Sequence, residues 1–335
     1  MSHPEKKYTN ETREMRHMKV SLGMRLRDGP WGGGNQFGRV LVQHLQERGV
    51  DVFFDLTEPD LDVIVLVDPR KHLWSPTFDD RDILAYCRNV NSRSLVIHRV
   101  NECDERKDTE GVNEVLLRAN RCADHTVFVS NWLRDLFLRK NLPCESYSVI
   151  RNGSSTNVFH SNGHQPCDRR RPLKIVTHHW GCNWLKGFDI YQRLDHMIET
   201  GWRGLIEFTY IGNLPDDFKF RNVRHVSPIP GDELASLLRR HHVYLTASVN
   251  EPGSHHQNEG ACCGLPLLYR ESGCLPEYCE GYGLSFTEQN FEQKMAQMFH
   301  AYEDWVPKMT QYPNTAKQMC QSYEDLFNRL LRNRL

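Results

Sequence analysis

Ala247-Ser-Val-Asn-Glu251-Pro-Gly-Ser-His-His-Gln-Asn-Glu259-Gly-Ala-Cys-Cys-Gly-Leu-Pro266 carries the pattern on which the fold is decided. An apolar run at 243–246 enters this stretch and another at 265–269 leaves it. Both have the length of short buried strands, and 251–264 between them reads as a loop followed by a helix. Strand, helix, strand in this order makes a βαβ unit with the two strands parallel. Glu251 stands at the strand tip, and Glu259 follows eight positions later inside the helix. The Gly253-Ser254 turn leaves backbone N–H groups free to face an anion, which the dipole of the following helix also favours. Two carboxylates there suit a polyol, because each oxygen accepts hydroxyl hydrogen bonds.

The same alternation extends toward both termini. Upstream lie a strand at 173–177, a helix at 187–200, a strand at 205–211, and a helix at 231–240 with Leu234, Leu237 and Leu238 on one face. Before them a first strand, 18–24, runs into Gly29-Pro-Trp-Gly-Gly-Gly34 and a helix that aligns Phe37, Val40, Leu41 and Leu45. Apolar runs at 51–54, 62–67, 94–98, 126–129 and 146–150 alternate with helical stretches near 110–121 and 131–140. A polar Ser, Asn, Gly and Pro-rich segment, 153–172, separates the two series. The expectation is an α/β chain of two Rossmann-like, doubly wound domains, 18–153 and 154–314, after a loose tail, 1–17. Ligands in such sheets sit beyond the carboxyl ends of the strands, so two facing sheets make a cleft. A last helix in 315–335 carries Met319, Tyr323, Leu326, Phe327 and Leu330 as a buried stripe. The stripe does not say which domain it covers, and packing back on the first domain is one option.

Bulk properties narrow the function. With 335 residues, 39% hydrophobic, 25% charged and a net charge of −1, the chain is globular, large enough for two cores, and lacks the basic surplus of a nucleic-acid binder. No apolar run nears the ~18 residues of a membrane span, and the opening stretch lacks a signal-peptide core. Eleven cysteines without metal or disulfide spacing fit reduced thiols and a cytoplasmic setting. The pairs His178-His179, His241-His242 and His255-His256 are poor chelates, since neighbouring side chains diverge in both strands and helices. No metal is expected there. Asp60-Leu-Asp62 and Asp79-Asp-Arg-Asp82 are read as solvated carboxylates, and Arg169-Arg170-Arg171 as a solvated run. Cys262-Cys263 is read as core filling. Trp31 and Trp184 are placed in cleft loops, either stacking on a sugar or base or packing the core.

Glu251 and Glu259, with seven residues between them and Gly-Ala-Cys-Cys-Gly-Leu-Pro after them, resemble the E-x7-E motif of retaining GT-B glycosyltransferases of family four and its relatives. Five further stretches agree in order. Gly32-Gly33-Gly34 with the helix ending at Glu47-Arg-Gly-Val-Asp-Val52 resembles the family's opening loop. Ala123-Asp124 through Val129-Ser130 resembles its strand ending in serine, and Ile150-Arg-Asn-Gly-Ser-Ser-Thr-Asn-Val-Phe159 its interdomain stretch. Lys186-Gly187-Phe188-Asp189 resembles its lysine-glycine helix start, and Ser272-Gly273 through Pro276-Glu277 its G-G-x-P-E segment. The resemblance covers about 18–300.

It implies a GT-B fold and transfer of a hexose, with retention, from a UDP- or GDP-sugar to a hydroxyl of a glycan, lipid or small molecule. Glu259 would hold the ribose, Glu251 would position the donor sugar, and Lys186 would neutralise the leaving diphosphate. Gly33 and Gly34 would let backbone approach the phosphates, and the amides near Gly253 and Ser254, with His255 beside them, would meet sugar or phosphate. A metal is usually dispensable in the family, no other cofactor is implied, and peripheral membrane contact stays open. Two departures stand out. The segment before Lys186, His178-His-Trp-Gly-Cys-Asn-Trp184, lacks the usual arginine: either a donor from elsewhere, such as Arg99, joins Lys186, or Asn183 and the histidines take a different role. The family's first-domain histidine has no clear match, leaving His98, Arg99 and Asn101 as candidates. Two other functions stay open, a nucleotide-sugar epimerase and a degenerate sugar-nucleotide binder.

Overall fold

A computed structural model of the chain describes residues 17–29, 32–168 and 170–334. Nearly all of the expected tail, together with Trp31 and Arg169, lies outside the described residues.

The first sheet contains β1 (Lys19–Leu22), β2 (Asp51–Phe53), β3 (Val63–Leu66), β4 (Leu95–Val100), β5 (His125–Phe128) and β6 (Tyr147–Val149). Their order is β2-β1-β3-β4-β5-β6, all parallel. The crossovers are α1 (Gly33–Glu47), α2 (Asp80–Asn89), α3 (Val112–Ala119) and α4 (Asn131–Arg139). Central strands buried on both faces read as unbroken apolar runs, and Val63-Ile-Val-Leu66 is one. Asp79 and Asp82 form a capping box at the start of α2, so that acidic cluster begins a helix, one absent from the sequence reading.

The second sheet repeats the design with β7 (Leu173–His179), β8 (Ile206–Gly212), β9 (Arg224–Val226), β10 (Val243–Thr246), β11 (Leu267–Arg270) and β12 (Gly283–Phe286). Its order is β12-β11-β10-β7-β8-β9, again parallel. Helices α5 (Phe188–Met197), α6 (Gly231–Leu238), α7 (His256–Cys262), α8 (Leu275–Cys279) and α9 (Phe291–Trp305) accompany it. Helix α7 begins at His256, so 251–255 is loop and Glu251 stands outside the helix.

The last helix, α10 (Ala316–Arg332), returns to the first sheet. Its Met319, Tyr323, Leu326 and Phe327 share one core with Phe37, Leu41 and Leu45 of α1, and the Tyr323 and Phe37 rings lie 5.4 Å apart. The apolar stripe is therefore buried on the domain that the chain built first.

Candidate functional site

The carboxyl ends of both sheets face one cleft of about 320 Å³. From the first sheet it is lined by the start of α1 and the segment after β4, and from the second by the end of β7, the 251–255 loop and the start of α7.

At its centre is a buried charge cluster. Lys186 ends a short 3-10 turn whose Asn183 side chain accepts the Leu185 N–H at 2.9 Å. Gly187 then turns the chain into α5 at φ +101°, and a Cβ there would sit 2.4 Å from Ala247, so both conformation and space demand glycine. The turn aims Lys186 Nζ at Glu251 Oε2, 2.6 Å away, with Glu251 only 2% exposed. The Glu251 backbone is held by the 272–274 segment: Cys274 N–H donates to the Glu251 carbonyl at 2.8 Å, and Gly273, at φ +59°, lies against it too closely for any Cβ. The other carboxylate oxygen is 3.4 Å from Arg106 Nε, and Arg106 also donates to Glu102 at 2.8 Å. Burial alone would raise the Glu251 pKa, but Lys186 and Arg106 outweigh it and hold it at about 2. Burial lowers that of Lys186 against the pull of Glu251, while the two glutamates outweigh burial at Arg106 and raise its pKa.

Arg106 has no motif around it. The available clue was topological: Asn101-Glu-Cys-Asp-Glu-Arg106 directly follows β4, where parallel sheets place ligand-binding groups. Arg106 is an arginine that the sequence reading did not single out, and it lines the cleft beside Lys186 and Glu251. Arg99 also lines the cleft but is 1% exposed, stacks 3.8 Å over the Phe37 ring, and donates to Asn152 at 2.9 Å. Asn152 in turn bonds the Gly253 carbonyl, so Arg99 supports the 251–255 loop through it.

The second carboxylate, Glu259, lies on α7, 2.6 Å from His178 Nε2. A carboxylate can only accept, so in the neutral ring Nε2 carries the proton and Nδ1 accepts from the Tyr244 hydroxyl, 3.0 Å away. That contact uses one Glu259 oxygen, and no hydrogen bond to the other is found among the described residues. His179 and His256 lie behind, their rings edge to face 4.5 Å apart, bonded to Tyr191 and Thr246 and kept neutral chiefly by burial. Among the described residues no group of three or more His, Cys, Asp or Glu is placed to hold a metal.

The remaining candidates fall as follows. Gly33 and Gly34 line the cleft in the first turn of α1, and a Cβ on Gly33 would strike the His255 ring. His255 Nε2 is buried without a hydrogen-bond partner, and burial holds its pKa at about 4. Gly253 and Ser254 line the cleft, Ser254 bonding Gln257. Asn101 lines it as well. His98 is a correction. Successive residues of a strand point to opposite faces. While Arg99 turns to the cleft, His98 turns away from it and bonds Asn120 at 2.7 Å in the core. Trp184 packs on Phe188 and Phe218, whereas Trp180 lines the cleft.

Contacts across the cleft bind the halves together. Glu277 accepts the Asn131 N–H at 3.0 Å, its side-chain N–H at 2.8 Å, and the Trp132 N–H at 3.0 Å, at the N-terminus of α4. Tyr278 donates to the Val129 carbonyl and Ser130 to that of Pro252.

By sequence, the chain matches no protein-family model and no curated protein. By structure it is similar to the catalytic domain of Arabidopsis thaliana starch synthase IV bound to ADP and acarbose: TM-score 0.69, 13% identity, 94% of this chain and 99% of that one. Anabaena HepE with UDP and glucose gives 0.65 at 14% identity over 93% and 100%. AviGT4, a glycosyltransferase of avilamycin A biosynthesis, gives 0.63 at 15% over 94% and 98%. With two six-stranded parallel sheets meeting at one cleft, the chain has the GT-B fold of these glycosyltransferases.

Proposed function

We propose that the protein is a retaining glycosyltransferase that moves a hexose from a UDP- or GDP-sugar to a hydroxyl of a glycan, lipid or small molecule. The observation that carries this reading is the Lys186–Glu251–Arg106 cluster, which lines one cleft together with Glu259. Four cations line that cleft, Arg99, Arg106, Lys107 and Lys186, against two carboxylates, a surplus that suits a diphosphate. Glu259 accepts from the ribose hydroxyls with the oxygen that His178 leaves open. Lys186 and Arg106 take up the charge that grows on the departing diphosphate, in place of a metal. Glu251 orients the sugar and the two cations. The acceptor oxygen forms its bond to the anomeric carbon on the face from which the phosphate oxygen leaves, and the acceptor proton passes to that oxygen. Eleven free cysteines suit a cytoplasmic setting.

The test is nucleotide release from a panel of UDP- and GDP-sugars with and without hydroxyl acceptors. Acceptor-dependent release with one donor supports the reading. An isomerised donor would assign an epimerase, and stoichiometric binding without release a degenerate binder.

A further inference from the structure

A second hollow, of about 310 Å³, opens where the strands of the second sheet begin. Lys174 is the second residue of β7, its register partner on β8 is Glu207, and Arg224 opens β9. Arg240, two residues past α6, completes a set of three cations around the opening. Lys174 and the cleft residue His178 are four positions apart on one strand, about 13 Å at ~3.3 Å per residue, so the two hollows have separate walls.

None of the three cations has an ion pair or a hydrogen-bond acceptor for its side chain among the described residues. Glu207 is the one carboxylate in the lining among those residues. His241 forms the buried base: its Nδ1–H donates to the Leu237 carbonyl at 2.8 Å and its Nε2 accepts the Thr209 hydroxyl at 2.9 Å. Burial first, and then Lys174, Arg224 and Arg240, hold its pKa at about 4. Ile206 and Phe208, on the other face of β8 from Glu207 and Thr209, belong to the core beneath the hollow.

We propose that this hollow is a second binding site, for a phosphate monoester carrying a small polar group such as a sugar, with Lys174, Arg224 and Arg240 as its charge partners. Three cations from separate elements around one hollow match a dianion with three free oxygens better than a planar carboxylate. The volume exceeds what a bare phosphate fills and leaves room for the esterified group. The site is independent of the donor cleft.

The test is calorimetry on the full chain with glucose 6-phosphate, inorganic phosphate and glucose, alongside ¹⁵N histidine spectra. Saturable binding of glucose 6-phosphate, weaker binding of phosphate and none of glucose is expected, with the His241 ring signal moving on addition. UDP should not compete, and Glu259→Ala should bind as the wild type does. Lys174→Met with Arg240→Met should lose about tenfold or more per cation removed. If that double variant does not fold, Arg224→Gln alone makes the same test. No saturable binding at millimolar ligand, competition by UDP, equal affinity for bare phosphate, or unchanged affinity in the variants would each overturn the proposal.

Discussion

Glu251 is locked between two cations, and its consequences can be measured at single positions. Removing either cation leaves a buried carboxylate half-paired and, on the proposed reading, takes away a charge partner of the diphosphate. Lys186→Ala and Arg106→Met should each lower kcat/KM by about 1.5–3 kcal/mol, roughly tenfold to a hundredfold. Circular dichroism should be unchanged, and wild-type turnover in Arg106→Met would remove that residue from the site. Of this cluster, Glu251 and Lys186 were legible in the sequence because their motifs are local. Arg106 was not, because it reaches Glu251 from 145 positions away and nothing adjacent to it marks that contact. His98 was misplaced because strand parity around it was unresolved: a shift of one residue exchanges the cleft face for the core.

At the level of elements, α4 starts on a carboxylate from the other half of the chain. Glu277 takes up the N–H groups that a helix N-terminus leaves unpaired and meets its positive dipole end. Glu277→Ala should therefore cost about 1–3 kcal/mol of stability and raise amide exchange at Asn131 and Trp132. Equal exchange in variant and wild type would show that the contact does not hold the halves together. Gly187→Ala should cost about 1–3 kcal/mol, read by urea unfolding, because φ +101° strains any side chain there. The long helices α1 and α10 were plain in their periodicity. Helix α9 carries a similar stripe, Phe291, Met295, Met298 and Tyr302, and was within reach of the same reading. Strand β9, Arg-His-Val on a sheet edge, has three residues and no buried face to produce a pattern.

Seven buried histidines are held neutral across the molecule. Burial brings His98, His125, His241, His242 and His255 to about 4, and sends His179 and His256 well below their ordinary value. Below the unfolded value near 6.5 the unfolded chain binds protons that the folded chain refuses, so stability falls with pH. The loss should begin near pH 6.5 and continue toward pH 4. Carboxylate-driven loss comes later: Glu251, depressed to about 2, contributes stability above its unfolded value that disappears as pH falls toward 2. Urea midpoints at pH 7.5, 6.5 and 5.5 should fall steeply, and a flat series would contradict the burial of these rings. No helix among the described residues is long and apolar enough to cross a membrane.

The most direct test is a crystal structure with the UDP- or GDP-sugar that the release assay selects. We expect the diphosphate within hydrogen-bonding distance of Lys186 Nζ and the Arg106 guanidinium, and the ribose hydroxyls on the open oxygen of Glu259. A nucleotide bound elsewhere, or bound in the cleft with both cations still turned only to Glu251, would contradict the account.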